Sequence, residues 1–489
     1  MRSILAVLAV FASLGAQAQA IGYEGARHLL DRAGFGASDA DVREYAALDR
    51  AHAVGRLLDG ARREAATPPP AFVNDAIVPR RAIRAMAPDE RKALLRTYVR
   101  QGLELRAWWL GEMLATPSPL TERMTLFWHN HFATSQQKVK LPQLMYRQNV
   151  LLRREALGNF ATLLHAVAKD PAMLLYLDNA RSRREAPNEN FAREVMELFT
   201  LGVGHYGEKD VKEAARAFTG WSVDPQTGAY RYRPFFHDAG EKVVLGHRGE
   251  LGGDDVIDIL LERPETARFI AAKLWREFVS PTPDPAEVER WAAVFRDSRY
   301  EVKPLLRAIF MSDAFWSPDN RATLVKAPVD VVVGTLRMLD IRPTDLRPAA
   351  IACAALGQNL FAPPNVKGWP GGDAWIDSAT LLGRRQFVER LFRGVDADAM
   401  QRTAEDGPAM REAGAKGTPG ERMRRMLERG MASYAFDPSR WSDSLGGNDS
   451  VREIDRLVLA SAPADPVPPQ LAGAPRVHAL VADPVFQLK

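Results

Sequence analysis

The sequence predicts an all-α protein: a predominantly helical single globular domain that carries a small β-hairpin insertion. Three observations predict it. Almost every long apolar pattern recurs at i, i+3, i+4 and i+7, the spacing of one helix face, and does not alternate as a half-buried strand would. Helix punctuation recurs along the chain, with Ser118-Pro119 and Pro187-Asn188 as starts and Gly202 as a stop. Of 489 residues 46% are hydrophobic and only one is a cysteine, so the fold must rest on an apolar core rather than on disulfides. Cys353 itself lies in the apolar run 349–356, where a buried structural thiol is expected rather than a nucleophile.

Taken in order, residues 1–20 read as a secretory signal peptide. Arg2 is the positive n-region, residues 4–14 the apolar stretch, and Ala16, Ala18 and Ala20 the small-residue cleavage region. The apolar stretch is short for a bilayer, and no later segment is long enough, so no transmembrane segment is expected after cleavage. The mature chain would begin near Ile21 in the periplasm or outside the cell; a retained N-terminal anchor is the alternative. Removing Arg2 leaves +3 of the formal +4 charge, and no nucleic-acid partner is implied. Residues 21–393 form the expected helical core. Within it, Arg32-Ala33-Gly34-Phe35-Gly36 suggests a tight turn presenting Phe35 to the core, and 60–88, rich in Ala, Arg and Pro, reads as a mobile excursion.

A long helix is expected from about 89 to 114. After it Pro119 starts the helix that carries Phe127-Trp128-His129-Asn130-His131-Phe132. Histidines two apart point about 200° apart on a helix, so His129 and His131 reach one ion only if the chain unwinds there. Otherwise one is a core histidine and the other lies near the surface. Residues 141–168 are helical again and lead to the most informative stretch, 188–202. Asn188 is an N-cap candidate, Phe191, Val195, Leu198 and Phe199 form an apolar stripe, and Asn190, Arg193, Glu194 and Glu197 share the opposite face. Two readings stand for that face. It is solvated, with Arg193 bridging Glu189 and Glu197 at i±4, or it turns inward and binds a metal or polar substrate. The β-hairpin insertion is expected at 229–248, with strands near 230–233 and 241–245 and His237-Asp238 side by side between them. Helices return from 254 to 315. The segment 361–377 is a Trp/Gly/Pro loop in which Trp369 and Trp375 either stack on a sugar or peptide or lock the core, with Asn365, Lys367 and Asp373 as polar handles. Residues 394–489 read as a looser C-terminal extension, with a short basic helix near 421–431, that re-docks at its end.

The words Arg32–Gly36, Trp128–Phe132, Asn188–Gly204, Phe218-Thr219-Gly220-Trp221 and Pro363–Gly372 with Trp375 resemble the signatures of the bacterial "domain of unknown function 1800" family over nearly the whole mature chain. The resemblance implies an exported bacterial protein, often encoded beside a second exported family similar to sulfatases and alkaline phosphatases; it brings no established reaction.

Two functions fit these residues. In the first, the chain is an exported metal-assisted hydrolase of an envelope or extracellular polymer. A divalent metal would be held by His129, His131, Glu194, Glu197, His237 and Asp238. His129, Glu194 and Glu197 would serve catalysis, and Arg193 would orient an anionic substrate. Asn130, Asn188, Asn190, Asn365, Lys367, Trp369, Asp373 and Trp375 would bind a polymeric or glycan ligand. In the second, it is a non-catalytic envelope scaffold that supports a sulfatase-like exported partner. The first expects a carboxylate of Glu194 or Glu197, largely buried, within reach of His129 or His131.

Overall fold

The computed structural model describes residues 19–392, 434, 436–445 and 450–489. The expected signal peptide, but for its last two residues, and the expected basic helix near 421–431 lie outside the described residues. Helices dominate, as the periodicity predicts, and the strands form two small antiparallel pairs. Among the described residues no helix is long and apolar enough to cross a membrane. Cys353 is buried, and desolvation pushes its thiol far above the ordinary range, consistent with a structural role.

The longest helix, Pro88–Ala115, packs on Pro142–Arg154, Pro328–Met338 and Arg347–Ala355. It buries Leu105, Trp109, Leu110 and Met113 on one side. Thr116 ends it in extended backbone, and Pro119 opens the histidine helix Pro119–His131 at its first position. Ser118 stands at the N-cap, but its hydroxyl pairs with Thr121 Oγ1 at 2.7 Å rather than with a backbone N–H. Residues 141–168 divide into Pro142–Arg154 and Phe160–Ala168, the second capped by Asn159, whose side chain accepts from Thr162 N. Gly36, at φ +79°, lets the turn after the first helix, Gly22–Ala33, lie against the Gly334 backbone and drives Phe35 into the core.

The central helix is Glu189–Met196, capped by the Asn188 side chain, whose Oδ1 accepts from Asn190 N. It then widens into a π-helical turn, Glu197–Leu201, closed by Gly202 N–H on the Glu197 carbonyl at 3.0 Å. The apolar stripe packs as predicted at Phe191, Val195 and Phe199, whereas Leu198 is only partly covered.

The β insertion is two hairpins. Strands β1 (Trp221–Val223) and β2 (Tyr230–Tyr232) pair with Ser222 opposite Arg231. Strands β3 (Lys242–Val244) and β4 (His247–Gly249) pair with Val243 opposite Arg248. Each strand read from the sequence finds its partner next to it in the chain, because Pro234 and the one-turn helix Pro234–Phe236 separate the two. The stretch 60–88, read as a mobile excursion, is docked in its first part, whereas its helix Arg80–Ala85 buries no residue. Phe72 and Val73 are buried, and the Glu112 carboxylate accepts from the N–H groups of Ala66 and Thr67 at 2.8 Å.

The C-terminal part re-docks through Ser450–Val458 and Gly473–Ala482. Residues 487–489 then run antiparallel to 324–326. Lys326 N donates to Gln487 O at 2.7 Å and Lys489 N to Leu324 O at 2.9 Å.

Candidate functional site

The histidine helix, the helix Pro264–Phe278, the start of Pro328–Met338 and the loop 361–377 enclose a cleft of about 520 Å³. Asn130, His131, Lys273, Arg276, Lys367 and Asp373 are among its polar lining.

The helix continues through His131, so the two histidines diverge as helical geometry dictates. His129 turns into the core between Trp109, Phe361 and Trp369, with ring centroids 5.4–5.6 Å away. Burial lowers its pKa to about 3, and its Nε2 has no hydrogen-bond partner. His131 turns toward the cleft. Its Nε2–H donates to the Phe199 carbonyl at 3.1 Å, so Nδ1 carries the lone pair and accepts from Lys273 Nζ at 2.9 Å. Desolvation and the Lys273 charge hold His131 neutral, well below its ordinary value. Lys273 also lies over the Phe269 ring at 4.9 Å. Desolvation first, then Arg276, brings its pKa down to about 8. Lys273 was not singled out from the sequence. Its signal was an ammonium three and four residues after Ile270 and Phe269, on the covered side of an amphipathic helix.

Arg123, Glu277, Asp330 and Lys489, also on the lining of the cleft, form an ion network that sequence reasoning missed as well. The Arg123 guanidinium pairs with the Asp330 carboxylate and donates from Nε to the Gly34 carbonyl at 2.9 Å. It stacks over Phe35 at 4.3 Å and reaches Glu277 at 3.5 Å. The other Asp330 oxygen accepts from Lys489 Nζ at 2.8 Å and from Ala327 N at 3.0 Å. The Arg123 and Lys489 cations outweigh desolvation and hold Asp330 far below the carboxylate range, whereas burial pushes Glu277 up.

The expected metal set is not assembled. Among the described residues no three His, Cys, Asp or Glu side chains converge to hold an ion. Glu194 and Glu197 are half-buried and meet neither histidine. The Glu197 carboxylate accepts from the Tyr206 hydroxyl. Desolvation and Glu197 raise Glu194, while Lys367 and Arg193 oppose the rise. His237 bonds the Thr219 carbonyl through Nδ1 at 3.0 Å, and Asp238 pairs with Arg216 at 2.7 Å. Arg193 bridges neither Glu189 nor Glu197; it forms a bidentate pair with Glu208 at 2.7 and 2.8 Å. Four of the six expected ligands, His131, Glu197, His237 and Asp238, are engaged by other partners, His129 is enclosed by aromatic rings, and Glu194 lies on a helix face that does not reach the histidines.

The binding residues divide likewise. Asn188 is spent on the helix cap and on Leu177 O at 2.6 Å, and Asn190 is exposed. Asn365 closes its own turn by accepting from Lys367 N at 2.8 Å. Asn130 Oδ1 accepts from Trp369 N at 2.7 Å, so it fastens the loop to the histidine helix. Gly368, at φ +82°, is required there, since a Cβ would stand 2.1 Å from that oxygen. Trp369 and Trp375 line the cleft, yet they are only 4% and 7% exposed. Of the two readings of these tryptophans, their burial favours the lock. Trp369→Ala is expected to lower stability by about 3 kcal/mol, read from the urea midpoint; an unchanged midpoint would refute the lock. Lys367 and Asp373 remain exposed at the rim.

The family described as "Protein of unknown function (DUF1800)" matches residues 28–488. The chain belongs to the DUF1800 family. Searches of curated proteins and of solved structures return no match. Four of the five words that carry the DUF1800 resemblance meet at or under this cleft: Gly34 accepts from Arg123, His131 forms the wall, Phe199 fixes His131, and Trp369 joins Asn130. The fifth, at Thr219-Gly220-Trp221, anchors the hairpins through His237.

Proposed function

We propose that this DUF1800 chain is an exported envelope protein that holds an anionic group of an extracellular polymer, a carboxylate, phosphate or sulfate, at Lys273. One observation carries the reading. Lys273 faces a cleft, no carboxylate pairs with it among the described residues, and its polar partner His131 is neutral. A half-buried ammonium so placed gains most from an incoming anion. Arg276 and Lys367 on the lining add charge of the same sign, while the lining carboxylates Glu277 and Asp330 are matched by Arg123 and Lys489 and Asp373 stands at the rim. The leader-like residues 1–20 support export. The sulfatase-like exported neighbour implied by the family resemblance is the partner such a polymer-holding protein would serve.

A second reading, hydrolysis of that polymer, draws on the lowered Lys273 pKa. An amine near 8 that is hydrogen-bonded to an imidazole is suited to act as a general base without a metal.

Calorimetric titration with inorganic phosphate, sulfate and polygalacturonate tests the binding. Lys273→Met keeps the apolar stem and is expected to weaken binding at least tenfold, since a charge-assisted hydrogen bond is worth about 1.5–3 kcal/mol. Affinity should also fall as pH rises through about 8. Equal affinity in the variant, or no anion bound by the wild type, would refute the assignment.

A further inference from the structure

A second surface, built from the loop around Arg183 and from β2 with its following turn, gathers arginines around exposed aromatic rings. The loop is closed by a bridge between Arg183 and Ala186, and Arg184 N–H donates to the Phe236 carbonyl at 2.9 Å. The Arg184 guanidinium lies over Phe235 at 5.1 Å, and those of Arg183 and Arg233 lie beside Phe236 at 5.8 and 6.0 Å. Phe235 stays 73% exposed and Tyr232 42%. Arg181 and Arg231 extend the charge, so five arginines stand against the carboxylates of Glu185 and Asp224, while Asp238 is occupied by Arg216. Covering the Phe235 ring would remove from water apolar surface that the protein itself leaves exposed.

We infer that this surface docks the protein on an anionic phospholipid bilayer. The occupant follows from charge and shape. Guanidinium groups pair with phosphodiesters in a fork, and a ring that projects between them enters the headgroup layer, whereas a peptide ligand would need a recess that a projecting Phe235 does not offer. The arginines recognise the phosphates and Phe235 supplies the apolar contact. The surface is separate from the Lys273 cleft, so its role does not depend on what that cleft holds.

The test is co-sedimentation of the full chain with phosphatidylcholine vesicles that do or do not contain phosphatidylglycerol. Residues 1–20 are common to all variants, so differences between variants report this surface. Wild type is expected to partition onto the anionic vesicles, and less so as salt is raised. Each arginine near such a surface is worth about fivefold in partitioning. The Arg183→Gln/Arg184→Gln double variant should therefore bind at least tenfold more weakly, and Phe235→Ser should bind more weakly at unchanged charge. Both variants change exposed side chains, and an unaltered melting curve confirms that they fold. Equal partitioning of wild type and variants, or none at low salt, would overturn the inference. So would binding of polyglutamate or an oligonucleotide that falls in the same variants while vesicles are not bound, which would identify an acidic-polymer site.

Discussion

Lowering the pH from 7 to 5 is expected to remove about 2 kcal/mol or more of folding stability. His28 and His129 are held neutral by burial with pKa values of about 3, and His131 is held well below its ordinary value. A group whose folded pKa is depressed leaves the unfolded chain binding more protons, so stability falls as pH drops through the unfolded value near 6.5 and levels off only near the folded one. His28 and His129 each contribute about 2 kcal/mol of loss over this interval, and His131 adds to it in the same direction. Asp170 opposes them. Burial raises its pKa to about 7, so the folded state takes up the extra proton and regains about 2 kcal/mol. Against a net stability of roughly 5–15 kcal/mol the remainder is large. Urea unfolding at the two pH values measures it, and equal free energies would show that the histidines are not buried neutral.

The Asp330→Asn variant is expected to lose about 3–5 kcal/mol, because it strands the Arg123 guanidinium and the Lys489 ammonium in the interior without their anion. Both cations are at most 6% exposed, so water cannot take over. The Arg193–Glu208 pair provides the contrast: Glu208 is exposed, and Glu208→Gln should leave stability nearly unchanged. Urea midpoints of the two variants decide the matter, and an Asp330→Asn midpoint close to wild type would disprove the network's role.

The fold class was legible because helix periodicity and caps are local. Pro88–Ala115 departs by one residue at each end from the helix read at 89–114, and Asn188 caps where expected. The histidine motif and the Trp loop were found as separate stretches, and the structure brings both to one cleft. The partners assigned to them were not legible. Whether His131 meets Glu197 or Lys273 depends on how the helix Pro264–Phe278 crosses the histidine helix, which no local pattern encodes. Arg123, Asp330 and Lys489 are 159 to 366 positions apart along the chain, and each reads alone as an ordinary surface charge. The aromatic character of Trp369 and Trp375 was visible, but the burial of Trp369 was set by Asn130 and His129 from another helix.

The π-helical turn Glu197–Leu201 gives the cleft a dependence on chain length rather than on chemistry. Its backbone aims the Phe199 carbonyl at His131, and that single carbonyl decides which imidazole nitrogen keeps a proton and which is offered to Lys273. Exchanging side chains along the turn leaves the carbonyl in place. Deleting one residue would restore α geometry and swing every following group by about 100°, and the imidazole would lose its instruction. Insertions and deletions at 197–201, more than substitutions, are thus the changes that would rewrite the proton inventory of this site.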